Sequence, residues 1–307
     1  MALARTRSRV RRLASSQYQC CRSHRRNAWR RSGSVTYSSA KTMKLDNCSA
    51  LITGASAGIG RECAHQLANR ARTLVLVARR EERLNELRDE LRRGNAQLNI
   101  HTHAVDLCDK SQIDELIRWL EQNKIEIDFL INNAGLGDVG PFVSSPPGRN
   151  EEMLQVNIVA LTMLTRALLP RMISRKRGAI LNVSSSAGFL PIPEFNVYAA
   201  TKAYVNSFTE SLRAELRGTG ITVTALCPGP VHTEFGDVAA RIGNQPTSGP
   251  ELAYVSVEQV VRDALAAIES DKPVVIPGLV MKLGMFLVRI TPLSILRLAW
   301  RLGAKRR

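Results

Sequence analysis

Between residues 49 and 276, short strand-like runs alternate with longer segments whose apolar positions recur every three or four residues. The short runs are Ser49–Thr53, Thr73–Ala78, Asn99–Val105, Ile127–Ile131, Ala179–Val183, Ile221–Leu226 and Val274–Ile276, and each predicts a β-strand. Thr73-Leu-Val-Leu-Val-Ala78 is apolar at every interior position, the mark of a strand covered on both faces. The longer segments predict helices over about Gly58–Asn69, Glu81–Arg93, Lys110–Asn123, Asn150–Ile173, the segment carrying Tyr198 as far as Arg217, and Val257–Glu269. Strands separated by helical crossovers pair in parallel, and right-handed crossovers place the helices on both sides of the sheet. The expected fold class is therefore α/β: a doubly wound parallel sheet of about seven strands, one domain over residues 43–278.

The 307 residues carry 43 Lys and Arg against 27 Asp and Glu, a formal net charge of +16. Where this charge sits changes its meaning. Eleven basic residues lie in 1–42 and seven in 279–307, with no acid in either, which leaves −2 for residues 43–278. A nucleic-acid-binding domain carries its cations on the folded surface, so nucleic acid is not an expected partner. Residues 1–42 are rich in Arg and Ser and have no apolar core, which excludes a secretory signal and predicts disorder. They read either as a transit-like targeting segment or as residues upstream of a start at Met43. The expected location is cytoplasmic, with mitochondrial or peripheral membrane placement as the alternatives.

At the other end, Pro292 separates two apolar pieces, Leu279–Ile290 and Leu293–Leu302. Lys282 and Arg289 share one helix face, and Ser294, Arg297 and Arg301 form one stripe, so both pieces read as short basic amphipathic helices. Neither is long enough to span a bilayer. Three uses fit them equally: peripheral membrane contact, contact with a second copy, or packing of Leu283, Phe286, Leu287, Leu296 and Trp300 on the domain. The six cysteines show no C-x-x-C pair and no metal-ligand spacing, which predicts free thiols in a reducing compartment. His101 and His103 alternate on a predicted strand and read as ordinary strand residues, so no metal site is expected.

The candidate chemistry begins at Thr53-Gly-Ala-Ser-Ala-Gly-Ile-Gly60, between the first strand and its helix. Glycines there admit a pyrophosphate to the backbone, and the helix N-terminus presents free N–H groups. The T-G-x-x-x-G-x-G spacing resembles the short-chain dehydrogenase/reductase family. Further motifs follow in the family's order: Asn132-Asn-Ala-Gly135, Asn157, Ser185, Tyr198-Ala-Ala-Thr-Lys202 and Pro228-Gly229. The resemblance covers about Lys44 to Ile276 and implies a Rossmann-like fold.

It also implies a cofactor site built from Thr53, Gly54, Ser56, Gly58, Ile59, Gly60, Asp106, Leu107, Asn133, Ala134, Gly135, Tyr198, Lys202, Pro228, Gly229, Val231 and Thr233. Where an NAD enzyme of this family has an acid, the chain has Ala78-Arg79-Arg80. A guanidinium forks onto a ribose 2′-phosphate, so Arg79 and Arg80 point to NADP(H), with Arg79 directly after the usual acid position. The implied catalytic set is Asn157, Ser185, Tyr198 and Lys202. Tyr198 and Lys202 lie one helical turn apart, which puts an ammonium near the phenol and, helped by the positive nicotinamide ring of oxidised cofactor, is expected to lower its pKa. Ser185, thirteen residues before Tyr198, is placed to hold a carbonyl oxygen, and Asn157 to anchor a water in the proton relay.

The expected function is hydride transfer between NADP(H) and a carbonyl or secondary alcohol, with a hydrophobic ketone or 3-oxo substrate. The alternative is a non-catalytic NADP(H)-binding regulatory protein of the same fold. Phe189, Leu190, Pro193 and Phe195 are expected at an apolar pocket mouth, with Glu234–Pro250, including Phe235, as a lid. A homo-oligomer is expected.

Overall fold

In a computed structural model of the chain, residues 43–240, 251–292 and 294–298 are described. The two readings of residues 1–42, most of the 234–250 lid, and Trp300 and Arg301 lie outside the described residues. Seven strands form one sheet: β1 Ser49–Thr53, β2 Thr73–Ala78, β3 Asn99–Ala104, β4 Phe129–Asn132, β5 Gly178–Val183, β6 Ile221–Leu226 and β7 Val274–Val275. Their spatial order is β3-β2-β1-β4-β5-β6-β7, and every neighbouring pair is parallel. The order reverses between β1 and β4, the point where open α/β sheets bind ligands.

The helices are α1 Gly58–Leu67, α2 Glu81–Gly94, α3 Lys110–Gln122, α4 Arg149–Leu154, α5 Leu161–Arg175, α6 Asn196–Glu215, α7 Glu234–Ala239, α8 Val257–Glu269 and α9 Leu279–Ile290. Why β2 reads as an unbroken apolar run is visible in the two cores. Successive side chains point to opposite faces of a strand. Ala50, Ile52, Leu74, Leu76, Phe129, Ile131 and Leu181 pack with α1, α2 and α8 on one face. Leu51, Val75, Val77, Leu130 and Ile180 pack with α3, α4, α5 and α6 on the other. Both faces of the central strands need apolar cover, so β2 shows no polar alternation. The edge strand β3 differs, with His101 and His103 half-buried against the Trp119 ring at 5.1 and 4.1 Å between centroids. Burial lowers the pKa of both imidazoles, and no metal-binding cluster occurs among the described residues.

Residues Arg149–Arg175 form one continuous helical stretch, long and apolar enough to cross a membrane by composition. Its buried face, however, supplies Met153, Val156, Ala160, Leu161, Leu164, Leu168 and Met172 to the core. It is a core helix. Its middle, Gln155–Ala160, is a π-helical turn, which the sequence periodicity did not foresee. Such turns recur at functional sites, and this one carries Asn157.

A buried chain of polar side chains fixes two helices to the sheet. Asn132 Nδ2 on β4 donates to Thr165 Oγ1 on α5 and to Asn182 Oδ1 on β5, and Asn182 Nδ2 donates to Thr209 Oγ1 on α6. All four residues are buried. Removing the middle link leaves a buried amide proton without its acceptor. Asn182→Ala is expected to lower unfolding stability by about 2 kcal/mol, measured by urea denaturation. An unchanged stability would show that the chain of amides does not secure α5 and α6.

Candidate active site

The site is assembled where the loops leaving the strands meet. Thr53, the last residue of β1, is buried, and its hydroxyl donates to Ile131 O while accepting from the backbone N–H groups of Asn133 and Ala134 at 3.0 Å. Asn133 Nδ2 returns to Thr53 O at 2.9 Å and Gly54 O at 3.2 Å. The ends of β1 and β4 are thereby held as one unit. Gly54 has φ +66°, and a Cβ there would fall 2.8 Å from Asn133 Nδ2 and 2.9 Å from Ala134 Cα. A Cβ on Gly60 would meet Asn133 Nδ2 and Gly54 O at 2.4 Å. Both positions exclude a side chain, so the turn lies flat and α1 begins hard against it.

A cleft of about 800 Å³ runs along this edge. One end is lined by Gly54, Ser56, Gly58, Ile59, Ala78, Arg79, Arg80, Asp106, Leu107, Asn133, Ala134 and Gly135. The centre holds Ser185, Tyr198, Lys202, Pro228, Gly229, Val231 and Thr233. The far end is apolar, with Leu190, Ile192, Phe195, Phe235, Val238, Tyr254 and Met285. Most residues singled out in the sequence therefore face one cavity. Of the implied catalytic and cofactor residues, three do not line it: Thr53, Gly60 and Asn157 stand behind the wall. Asn157 is buried, accepts from Leu136 N–H at 2.8 Å, and donates to Leu136 O and Thr201 Oγ1 at 2.9 and 3.0 Å. Its amide ties the loop after β4 to α6.

At the nucleotide end, Arg80 is held by Ser56 Oγ, 3.1 Å from its Nη2, and by Glu234, 2.8 Å from its Nη1. Arg83 pairs with the other oxygen of Glu234, and the two guanidinium groups keep that carboxyl below the usual carboxylate range. Arg79 is exposed at the end of β2 and pairs with no acid among the described residues. It is the guanidinium with donors to spare. Asp106 accepts from Cys108 N–H at 2.9 Å, turning the chain towards α3, whose cap is Asp109.

The three serines after β5 take different tasks. Ser184 is buried and donates to Lys202 O at 3.0 Å. Ser185 Oγ accepts from Ala187 N–H at 3.1 Å and bonds the Tyr198 hydroxyl. Ser186 N–H donates to Pro228 O. The Tyr198 ring stacks on Phe195 at 4.2 Å and leans on Phe235 at 5.3 Å. Lys202 Nζ donates to Val183 O at 2.8 Å and lies 5.6 Å from the Tyr198 ring centroid. Both groups are buried, and burial dominates their titration. It pushes the Tyr198 phenol up to about 12, against the opposing pull of Ser185. It brings Lys202 down to about 8. Among the protein's own groups the phenol is therefore raised, because desolvation outweighs the Ser185 hydrogen bond; the expected lowering also counted on the positive ring of an oxidised cofactor.

Around the mouth, Leu190 and Phe195 line the cleft as expected, but Phe189 lies beneath the Arg289 guanidinium at 4.9 Å and Pro193 is exposed. Glu234–Ala239 is helix α7 rather than loop, capped by Thr233 Oγ1. Sequence reasoning missed Ile192, Tyr254 and Met285 as lining residues, and missed Glu234 as the partner of Arg80. Nothing in the sequence links Arg80 to Glu234, 154 positions apart. Met285 belongs to the amphipathic C-terminal piece, and that pattern was the one signal available.

Comparison with known proteins agrees with this geometry. Residues 49–241 match the family model of the short chain dehydrogenases. The chain belongs to that family. It is 38% identical over 190 residues to the NADP-dependent 3-hydroxy acid dehydrogenase YdfG of Escherichia coli K12, covering 61% of this chain and 75% of that protein. Alignments to the curated relatives span between 62% and 77% of their lengths. Among solved structures, a short-chain dehydrogenase from Sphingobium yanoikuyae in complex with NADPH is 34% identical, with a TM-score of 0.69 over 76% of this chain and 88% of that one. A bulky-bulky ketone specific alcohol dehydrogenase from Comamonas testosteroni is 30% identical, with a TM-score of 0.66 over 85% and 94%.

The Lys202 shift has a measurable consequence. Its folded pKa of about 8 lies below the ordinary 10.5, so between these pH values the unfolded chain holds a proton that the folded chain has released. Stability then rises with pH across that window. Measured by urea denaturation, the chain is expected to gain stability relative to Lys202→Met between pH 8 and 10.5, with a flat difference below pH 8. A difference that fell with pH would mean the ammonium is stabilised, not strained, by its site.

Proposed function

We propose that the protein is an NADPH-dependent carbonyl reductase acting on bulky apolar ketones, and on the corresponding secondary alcohols in reverse. The observation that carries this reading is the single cleft in which Ser185, Tyr198 and Lys202 stand between a glycine-lined nucleotide end and an apolar end. NADPH, when bound, supplies the hydride that reduces the carbonyl carbon. Gly54, Ser56, Gly58 and the start of α1 would hold its pyrophosphate, and Arg79, beside the uncharged Ala78, would bind the 2′-phosphate. Two of the relatives support this choice, one being NADP-dependent and the other solved with NADPH.

The substrate carbonyl oxygen sits against the Ser185 and Tyr198 hydroxyls. Ser185 donates a hydrogen bond to the developing oxyanion and Tyr198 transfers its proton to it. One proton and one hydride thus add across the C=O bond. A phenol with a pKa near 12 is a reluctant base but a sound donor once the oxygen becomes alkoxide-like. Lys202, brought close to neutrality by burial, restores the proton to Tyr198. Asn157 acts through position, holding the loop after β4 against α6. The apolar wall of Leu190, Ile192, Phe195, Phe235, Val238 and Met285 favours a hydrophobic ketone over a sugar or an amino acid. The same wall fits a 3-oxo compound only if its polar group points out of the mouth.

Leu154, Val159 and Ile173 on the long helical stretch, with Tyr204 on α6, stay exposed. They support assembly into a homo-oligomer through that face. No observation favours a non-catalytic NADP(H)-binding role.

Tyr198→Phe is expected to keep NADPH binding, followed by fluorescence titration, and to lose turnover by roughly a thousandfold. Near-normal turnover would remove Tyr198 from the reaction. The unaltered chain is expected to bind NADPH about tenfold or more tighter than NADH, and Ala78→Asp with Arg79→Ala to reverse that order. Equal affinities in the unaltered chain would refute the role of Arg79.

A further inference from the structure

Helix α9 has two apolar sides, and only one of them is used by the domain. Met285 is buried and lines the cleft, Met281 packs on Gly229, and Arg289 covers Phe189. Opposite this docked side, Leu279, Leu283, Phe286, Leu287 and Ile290 follow helical spacing and are each 58–72% exposed. The domain-packing use of Leu283, Phe286 and Leu287 is thereby excluded. The stripe continues past Pro292, where Ile295 and Leu298 in the helical residues 294–298 are each 56% exposed. Seven large apolar side chains on one short segment exceed the scatter normal for a soluble surface and mark an interaction site.

Charge selects the occupant. Residues 279–307 carry seven cations and no acid, with Lys282, Arg289 and Arg297 on the two helical pieces. A second copy docked face to face by a two-fold axis would set these cations against their own images with no acid in the segment to pair them. The chain's own residues 1–42 are equally unsuited, being cationic and polar. An anionic bilayer surface meets both halves of the pattern, since acyl chains accept the leucines and phenylalanine while headgroups accept the cations.

We propose that α9 and residues 294–298 are a peripheral docking surface for anionic lipid. The apolar stripe enters the headgroup boundary, and the exposed Lys282 and Arg297 are left to meet the headgroups. Because the other side of α9 forms the cleft wall at Met285, docking sets the substrate end of the cleft about one helix diameter, ~10 Å, from the lipid.

The test is co-sedimentation of the full chain with phosphatidylcholine vesicles containing phosphatidylserine, against phosphatidylcholine alone. The comparison is with a full chain carrying Leu283→Glu, Phe286→Glu and Leu287→Glu. These side chains are exposed, so NADPH titration and circular dichroism should match the unaltered protein. The unaltered chain is expected to sediment with the anionic vesicles, and the triple variant to partition about tenfold or more weakly. Equal sedimentation of the two would assign the adhesion to other basic residues and overturn the proposal. So would an unaltered chain that stays in the supernatant. A dimer of the unaltered chain that the same substitutions split into monomers, seen by sedimentation velocity, would replace lipid with a second copy.

Discussion

A parallel sheet has one constraint on which everything else here rests: all its strands end on the same side. The loops leaving β1, β2, β3, β4, β5 and β6 must therefore gather along one edge, whatever their sequences. The chain exploits this through a few buried polar bonds. Thr53 hydrogen-bonds Ile131, Asn133 and Ala134, which fixes the β1 and β4 ends in register. Asn132 and Asn182 extend the arrangement to α5 and α6. The helix bearing Tyr198 and Lys202 is thus fixed to the strands that carry the nucleotide turn and Ser185.

Desolvation follows directly from that convergence. Packing six loop ends together buries the Tyr198 phenol and the Lys202 ammonium, which raises one pKa and lowers the other. The two shifts reverse the order found in water, where the lysine is the slightly weaker acid: here the ammonium, at about 8, is the stronger acid and the phenol, at about 12, the weaker, so the lysine gives its proton readily to a phenolate. The positive nicotinamide ring of an oxidised cofactor would draw the phenol back down, so the direction of reaction feels the redox state of the bound nucleotide.

How far this could be read from sequence varied with the kind of signal. Strands were legible because burial on both faces demands apolar residues without interruption, as in Thr73–Ala78. The last core helix and α9 were found at their observed limits, Val257–Glu269 and Leu279–Ile290, because Ser256 and Pro292 punctuate them. The cleft residues were legible as motifs, but motif membership does not say which way a side chain faces. Thr53, Gly60 and Asn157 belong to the pattern yet serve from behind the wall, where their bonds and close packing hold the turn in shape. The π-helical turn around Asn157 leaves no periodic trace over six residues, and the Arg80–Glu234 pair depends on tertiary proximity alone. The C-terminal piece was readable as amphipathic, but its division into a docked methionine side and an exposed leucine side required the fold.

The central claim is that this cleft moves a hydride from NADPH to a carbonyl carbon with Tyr198 supplying the proton. Its most direct test uses NADPH deuterated at the transferable position of the nicotinamide C4, incubated with a panel of bulky apolar ketones, with products read by mass spectrometry. One deuterium on the carbinol carbon of at least one product, present with the unaltered chain and lost with Tyr198→Phe, is the predicted result. Alcohol formed without deuterium, or labelled equally by the Tyr198→Phe chain, would contradict it.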